Sequence, residues 1–220
     1  MTSPILKAVF GYGSLVNSRT HDYTVTHDAT LSGWRRVWKQ AASRPVAFLS
    51  IEPHDSTLHG RLAVVPDHDW ATLDAREHAY LRRDVNHQLA HSATGFDAVA
   101  YEANPAHTAP PSTGHPILLS YLDVVLQGYL DLLGPDGPAH FAATTAGWGP
   151  VLDDRAQPLY PRARPLSDTT RRAVDAVLQT LSVPVQPAES AGLLVETLRR
   201  SGATALPHDP QRHNNGNQPE

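Results

Sequence analysis

The amino-acid sequence predicts an α+β fold, because strand-like segments fill its first half and helical segments fill its second half. Short apolar runs that end at glycine, proline or polar clusters predict strands over residues 5–12, 24–42, 46–51, 58–65, 83–89 and 96–101. Apolar residues at helical spacing predict helices over residues 117–133, 138–145, 167–181 and 189–201. The pattern at 117–133 is the clearest and ends at Gly134-Pro135.

The segments between these elements contain residues that interrupt regular structure. The cluster Pro53-His54-Asp55-Ser56 predicts a turn between two strands, and residues 105–116 form a proline-rich connector. Residues 148–165 are irregular and rich in proline, and Ser167 is the predicted N-cap of the helix that follows. The polar end of the chain, residues 208–220, is predicted to be disordered.

The composition limits the classes of function to be considered. The chain has 220 residues, of which 40% are hydrophobic, which is enough for one domain with a substantial core. Charged residues make up 18% and the net charge is −4, a balance too mild to indicate a nucleic-acid or membrane-surface partner. The absence of cysteine excludes disulfides, thiolate metal ligands and a cysteine nucleophile. With no signal-peptide pattern and no run of ~20 apolar residues, we expect a cytoplasmic protein.

The most informative segment is the glycine loop, Gly11-Tyr12-Gly13-Ser14-Leu15, which follows the first predicted strand. A dinucleotide fingerprint would have a third glycine where Val16 stands, and a phosphate-binding loop would continue with Gly-Lys-Ser or Gly-Lys-Thr. Two glycines allow positive φ angles and let a ligand approach the main chain. Backbone N–H groups that follow a buried strand can bind an anion or a developing oxyanion. A tight turn without function is the alternative interpretation.

A second candidate segment is the helix predicted to begin at Pro66-Asp67. One face of this helix carries Leu73, Glu77, Tyr80 and Leu81. A glutamate among apolar neighbours is unusual unless it is paired or functional. If the face is buried, desolvation raises the pKa of Glu77 and makes it a better proton acceptor near neutral pH. A surface ion pair with Arg76 or Arg82 is the alternative interpretation.

Together these segments resemble the γ-glutamylcyclotransferase-like (AIG2/ChaC-like) family. Tyr12-Gly13-Ser14-Leu15 matches the family's entry motif, an aromatic strand followed by Tyr-Gly-Ser-Leu or Tyr-Gly-Ser-Asn. Arg76-Glu77-His78-Ala79-Tyr80 and the residues up to Val85 match its Arg-Glu-x-x-Tyr-x-x-x-x-Val pattern. Gly33-Trp34-Arg35 and His59-Gly60-Arg61 resemble two family strands, although Ala63 stands where an aromatic is often found. The resemblance covers residues 5–130 and does not extend beyond Pro135.

The resemblance implies a mixed, twisted, barrel-like sheet with flanking helices. We expect a single domain over residues 1–207, with its core at 5–135 and a helical extension at 136–207. The implied reaction cyclises a γ-glutamyl compound to 5-oxoproline and a free amine, as a carbon–nitrogen lyase or acyltransferase that needs no metal or cofactor. Glu77 is the implied general acid/base, and the glycine loop is implied to bind the substrate and the oxyanion.

Two tyrosines and two polar stretches are further candidates. Tyr80 lies one predicted turn after Glu77, and Tyr121 lies in the helix at 117–133; substrate binding and core packing are both open for each. Asp153-Asp154-Arg155 and Tyr160-Pro161-Arg162 could form a lid, although a solvated loop is the favoured interpretation.

The thirteen histidines do not form an evident metal-binding motif. The best spacing is that of His87 and His91, and on a strand these side chains would lie ~13 Å apart, too far to share an ion. On a helix they could share one. We therefore expect no metal site.

Three classes of function are open from the sequence. The favoured class is an enzyme that acts on glutathione, a γ-glutamyl amino acid or a γ-glutamyl amine. The second is a non-catalytic small-molecule binding module with the same fold, which the presence of Glu77 disfavours. The third, a nucleotide-binding protein, is disfavoured by Val16 and by the lack of a lysine in the glycine loop. The expected partner is a small molecule, and no motif indicates an oligomeric state.

Overall fold

The computed structural model describes residues 5–23, 26–65, 80–91 and 95–200. Within these residues the chain is an α+β protein with a mixed sheet and flanking helices, which confirms the predicted fold class. The strands of the main sheet are β1 (Leu6–Gly11), β2 (Thr26–Lys39), β3 (Phe48–Val64), β4 (Tyr80–Asp84), β5 (Leu89–His91), β6 (Phe96–Ala103) and β8 (Thr145–Ala146). A smaller sheet contains β7 (Ile117–Leu118), β9 (Val151–Asp153) and β10 (Val185–Pro187).

The main sheet is open. Its strand order is β4-β6-β1-β3-β2-β5, and β8 pairs with β2 beside this path. Strand β1 runs parallel to β6 and antiparallel to β3, so the sheet is mixed. The barrel-like expectation is therefore met only in part, because the two ends of the sheet do not pair. Near one end β3 bends towards β6, and the Ala103 N–H donates to Ser50 Oγ at 2.9 Å.

Strands β2 and β3 form a long antiparallel hairpin. We expected two strands separated by a turn at Pro53-His54-Asp55-Ser56, but the structure shows one continuous strand, Phe48–Val64. A bulge in β3 explains the difference: residues 54–56 lie opposite the single residue Gly33 of β2, which adopts a φ of 84°. Ser56 Oγ donates to the Trp34 carbonyl at 2.9 Å. A bulge can accommodate a proline such as Pro53, so the turn-forming residues are absorbed into an exposed part of the strand.

The helix predicted around Glu77 falls largely at residues 66–79, outside the described part of the chain. Its predicted end is wrong, because Tyr80 and Leu81 lie in strand β4. This strand pairs with β6, where Tyr80 faces Ala103 in the antiparallel register. Non-local pairing with β6 thus overrides the local helical spacing of these residues. The strand expected at 83–89 is divided between β4 and β5, with a turn at 86–88.

Helix α1, Leu119–Leu133, is the central helix of the structure. Its first two predicted residues, Ile117–Leu118, form strand β7 instead. Every residue from Leu119 to Tyr129 is buried, so the helix is more enclosed than its amphipathic pattern predicts. Asp154 caps the N-terminus: its carboxylate accepts from Ser120 N at 2.8 Å and from Ser120 Oγ at 2.5 Å. A buried carboxylate is favoured here by the unpaired N–H groups and by the helix dipole.

The remaining helices lie in the second half of the chain, as predicted. They are α2 (Gly137–Ala143), α3 (Asp168–Thr180) and α4 (Gly192–Arg200). Ser167 caps α3 by accepting a hydrogen bond from Thr170 N at 3.1 Å, which confirms the predicted N-cap. The tail at 208–220 lies outside the described residues. Among the helices in the described ranges, none is long and apolar enough to cross a membrane.

The Asp154 cap gives a test of how strongly α1 depends on the segment that follows β9. We expect Asp154→Asn to lower the free energy of unfolding by about 2 kcal/mol, because an amide presents donor hydrogens to the Ser120 or Leu159 donors. Urea denaturation followed by circular dichroism measures this change. Asp55→Asn, at an exposed position of β3, is the control and should change stability by less than about 0.5 kcal/mol. Equal effects of the two substitutions would contradict the capping role.

Candidate functional site

The glycine loop leaves strand β1 and enters a short 3-10 turn, Ser14–Val16. Its carbonyl oxygens are engaged within the turn: Gly13 O accepts from Val16 N at 3.0 Å, and Ser14 O accepts from Thr20 Oγ1 at 2.7 Å. Asn17 anchors the end of the loop, because its Nδ2 donates to the Val124 carbonyl of α1 at 2.8 Å. The turn is thereby held against the central helix.

The glycines of this loop are required by close packing. A Cβ on Gly11 would lie 2.4 Å from Leu15 Cδ2, and a Cβ on Gly13 would lie 2.8 Å from the Tyr121 hydroxyl. Neither residue has a positive φ, so the conformational reason expected from the sequence is wrong for both. The main chain approaches a side chain here more closely than a Cβ would allow.

Tyr121 meets the glycine loop directly. Its hydroxyl lies against Gly13, 2.8 Å from the position that a Cβ would take, and its ring contacts those of Trp38 and Tyr160 at 5.8 Å and 5.0 Å. Burial raises the pKa of Tyr121, with Tyr160 adding to the rise, so the hydroxyl keeps its proton at neutral pH. The site thus combines a backbone N–H and a protonated phenol in a buried position.

Tyr12 supports the loop from below. It is buried, and its hydroxyl donates to the Tyr101 carbonyl of β6 at 2.6 Å. Tyr80 is placed differently: its ring lies 5.8 Å from that of Phe48. Leu49, the next residue of β3, is the neighbour of Gly13. Because successive strand residues point to opposite faces, Tyr80 and Gly13 lie on opposite sides of β3.

Glu77 lies outside the described residues, and its role stays a prediction. The structure therefore brings together Gly13, Ser14 and Tyr121 of the predicted site, while Tyr80 packs elsewhere on the sheet.

A buried arginine that sequence reasoning missed lies behind the glycine loop. Arg36 is fully buried, and its guanidinium donates to Thr145 Oγ1 at 3.0 Å and to the Tyr129 hydroxyl at 2.6 Å. That hydroxyl lies 3.1 Å from the Tyr12 carbonyl, so the arginine supports the loop through Tyr129. The neighbouring Arg35 instead pairs with Glu52 at 2.7 Å. Only the alternation of side chains between the two faces of the strand next to Trp34 could have shown from the sequence that Arg36 is buried and Arg35 is not.

Residues 153–162, which include both polar stretches named above, are more buried than the sequence predicts. Asp154 and Tyr160 are buried, so the favoured interpretation of a solvated loop is wrong for them. Arg155 makes a bidentate pair with Asp123 of α1, at 2.7 Å and 2.9 Å. Burial raises the pKa of Asp123, and Arg155 opposes that rise. The segment is part of the wall around α1.

The histidines are dispersed over the described structure. His87 lies in a turn and His91 in β5, so the single strand expected for both is wrong. Within the described ranges, no group of three or more histidines and carboxylates could hold a metal ion. His21 is the histidine that contacts the glycine loop: its Nε2 lies 3.0 Å from the Leu15 carbonyl, and its Nδ1 accepts from Tyr23 N at 3.2 Å.

The contact between Gly13 and Tyr121 can be tested by a double-mutant cycle. We expect Gly13→Ala to destabilise the protein by about 2 kcal/mol, because the new methyl overlaps the Tyr121 hydroxyl. In a Tyr121→Phe background the cost should fall below about 1 kcal/mol, since the next neighbour, Leu49 Cδ2, is 3.5 Å away. Urea denaturation of the four proteins measures the coupling. The same cost in both backgrounds would contradict this packing.

The His21 contact predicts a pH dependence. Burial lowers the pKa of His21, and the positive charges of Arg162 and Arg61 add to the shift. Because the folded pKa lies below the unfolded value, the neutral ring stabilises the fold above a pH of about 6.5, and this contribution is lost as the pH falls.

We therefore expect the stability difference between the wild type and His21→Gln to shrink between about pH 7.5 and about pH 5.5. Urea denaturation at both pH values measures the difference. Burial also lowers the pKa of His59 and His140, but both proteins contain these residues, so their contributions cancel. A difference that does not change with pH would exclude this role of His21.

The chain is similar to several known proteins. Residues 9–120 match the family described as gamma-glutamyl cyclotransferase, AIG2-like. No curated protein matches the chain. The chain is 18% identical to YkqA from Bacillus subtilis, with a TM-score of 0.46, covering 66% of this chain and 57% of that one.

Two crystal structures of the glutathione-specific γ-glutamyl cyclotransferase from yeast are similar as well. Each is 15% identical to this chain, and each alignment covers 80% of this chain. The alignments cover 95% and 99% of the two yeast chains, and the TM-scores are 0.38 and 0.37. The family match spans half of the 220 residues and includes the glycine loop, Tyr80 and the helix start next to Tyr121. The chain belongs to the gamma-glutamyl cyclotransferase, AIG2-like family.

Proposed function

We propose that the chain is a γ-glutamylcyclotransferase-type enzyme that converts a γ-glutamyl compound into 5-oxoproline and a free amine. The observation that carries the proposal is the close approach of the Tyr121 hydroxyl to Gly13, in a glycine loop that lies within the residues matched to the family. Glutathione, γ-glutamyl amino acids and γ-glutamyl amines are the candidate substrates.

The reaction requires proton transfer in two directions. The α-amine of the γ-glutamyl group is an ammonium near neutral pH and must lose a proton before it can attack the γ-carbonyl carbon. The attack forms a five-membered ring and an oxyanion, and collapse of this intermediate breaks the bond to the leaving nitrogen. Glu77 is proposed to accept the first proton and to deliver it to that nitrogen. Because the attack is intramolecular, holding the folded substrate supplies much of the acceleration.

The glycine loop and Tyr121 are proposed to stabilise the oxyanion or to hold the substrate carboxylate. Ser14 N–H and the Tyr121 hydroxyl are both donors, and both are buried, where hydrogen bonds to a developing charge are strong. Because burial raises the pKa of Tyr121, its hydroxyl keeps the proton that it can donate to an oxygen of the substrate. Gly11, Tyr12, Gly13 and Leu15 shape the main chain around these donors.

We also propose that residues 1–207 act as one domain located in the cytoplasm. The main support for one domain is that α1 continues from the family-matched residues into contacts with the extension. Asp123 of α1 pairs with Arg155 of the extension, and Thr145 of the extension accepts a hydrogen bond from Arg36 of β2. The extension therefore packs on the same core as the glycine loop.

The catalytic assignment predicts that Glu77→Gln retains the fold and lowers kcat for 5-oxoproline release by about 10²- to 10⁴-fold, because the amide cannot accept the ammonium proton. The measurement is mass spectrometry of 5-oxoproline after incubation with glutathione, a γ-glutamyl amino acid and a γ-glutamyl amine. Glu189→Gln, at an exposed position before α4, removes the same charge and should leave kcat unchanged.

An active Glu77→Gln protein would contradict the assignment of the base. A wild-type protein that releases no 5-oxoproline from any of the three substrates would contradict the proposed enzyme and favour a non-catalytic binding module.

A further inference from the structure

A cavity of about 340 Å³ is lined by helix α1, by the 159–165 segment and by helix α3. The segment is fixed at both ends. The Tyr160 N–H donates to Ser120 Oγ of α1 at 3.2 Å, and Arg164 Nε donates to the Arg19 carbonyl at 2.6 Å. Because hydrogen bonds hold the segment and the other walls are helical, a ligand can enter the cavity with little rearrangement of the main chain.

Four charged residues line this cavity in the part of the chain that the structure describes, and they are Asp123, Arg155, Arg164 and Arg171. Asp123 is the carboxylate of the set, and it accepts two hydrogen bonds from Arg155, at 2.7 Å and 2.9 Å. Arg155 also donates to Asp175 at 2.6 Å, and the Asp175 side chain is 52% exposed and therefore solvated. The charge of Arg155 is thus already neutralised within the protein.

The positive charges of Arg164 and Arg171 are not neutralised in this way. The Arg164 guanidinium donates to two main-chain carbonyls, those of Arg19 and Ala163, which carry no formal charge. Within the described ranges, the Arg171 guanidinium forms no hydrogen bond or ion pair. Both arginines are exposed, so their guanidinium groups can adjust to a ligand. The cavity therefore offers two positive charges and several N–H donors without a matching carboxylate.

A neighbouring cavity of about 420 Å³ shares Arg155 and Arg171 but differs in its chemistry. Its lining also includes Asp153 and Glu189, whose negative charges would repel an anion. The one carboxylate among the described lining residues of the first cavity, that of Asp123, is occupied by Arg155. The first cavity is therefore the better site for an anion.

We propose that the cavity between α1, the 159–165 segment and α3 binds a phosphate group through Arg164 and Arg171. A phosphate dianion matches the two guanidinium groups in charge, and its oxygens can accept hydrogen bonds from both planar forks. A carboxylate carries one charge and is fully engaged by one guanidinium. The volume lies within the range of ~300–1,000 Å³ found for small-molecule sites, so an organic group attached to the phosphate also fits. The inference does not depend on the proposed function.

The test is isothermal titration calorimetry of the whole chain with inorganic phosphate and with glycerol 3-phosphate, at constant ionic strength and about pH 8, where both are dianions. We expect the wild type to bind, and we expect Arg164→Gln and Arg171→Gln each to weaken the Kd by about tenfold or more, the value of one charge-assisted hydrogen-bond pair. Because Arg171 forms no hydrogen bond or ion pair within the described ranges, its replacement should leave the fold intact.

Arg172→Gln is the matched control. It removes the same charge from the next residue of α3, which is exposed and is not among the residues that line the cavity, and it should keep the wild-type Kd. A tighter Kd for glycerol 3-phosphate would support the site with a phosphate monoester as its ligand, and a tighter Kd for inorganic phosphate would support it with the free ion.

Three outcomes would overturn the inference. The first is no binding of either compound by the wild type at millimolar concentrations. The second is an unchanged Kd in Arg171→Gln. The third is equal weakening by Arg171→Gln and Arg172→Gln, because net charge rather than the cavity would then attract the anion. The measurement needs no turnover, so its result is separate from any failure to release 5-oxoproline.

Discussion

The structure depends on a positive charge buried in its centre. The Arg36 guanidinium has no exposed surface, and its hydrogen-bond acceptors are neutral oxygens of Thr144, Thr145 and Tyr129. Placing an ion in such a position costs several kcal/mol unless its hydrogen bonds are satisfied. The rings of Tyr129 and Phe141 face the same cation at 4.8 Å and 4.5 Å and add favourable electrostatic attraction. The acceptors lie in α1, at the end of α2 and in β8. The buried charge of Arg36 is therefore stabilised only when these elements pack against β2.

The hydrogen bonds of Arg36 connect the family-matched residues, 9–120, to residues that follow them. Arg36 lies within residues 9–120, whereas Tyr129, Thr144 and Thr145 follow them. Without these later residues the guanidinium would be left in the core without its partners, and the Tyr129 contact to the Tyr12 carbonyl would be absent. The second half of the chain therefore completes the support of the glycine loop, in addition to carrying the 159–165 segment. This explains why a loop motif near the N-terminus depends on helices that local sequence comparison does not match.

Local patterns predicted the local features of the fold. The apolar run before Gly11, the helical spacing from Leu119 and the cap at Ser167 each depend on neighbouring residues, and each appears in the structure. The continuous β3 and the strand at Tyr80 could not be predicted, because pairing with β2 and β6 decides them. At the site, the motif was enough to identify the glycine loop. The burial of Arg36 could not be predicted, because it depends on which face of β2 packs against the core.

The Asp154 cap also constrains the order in which the chain can fold during synthesis. Helix α1 begins at Leu119, but the carboxylate that completes its first turn lies in residue 154. Strand β7, which precedes the helix, pairs with β9, with Ile117 opposite Val151. A ribosome makes the apolar helix well before it makes these partners. The nascent helix therefore stays uncapped and unpaired until the second sheet emerges. The glycine loop, which rests on this helix, reaches its final geometry only after residues 151–154 have been made.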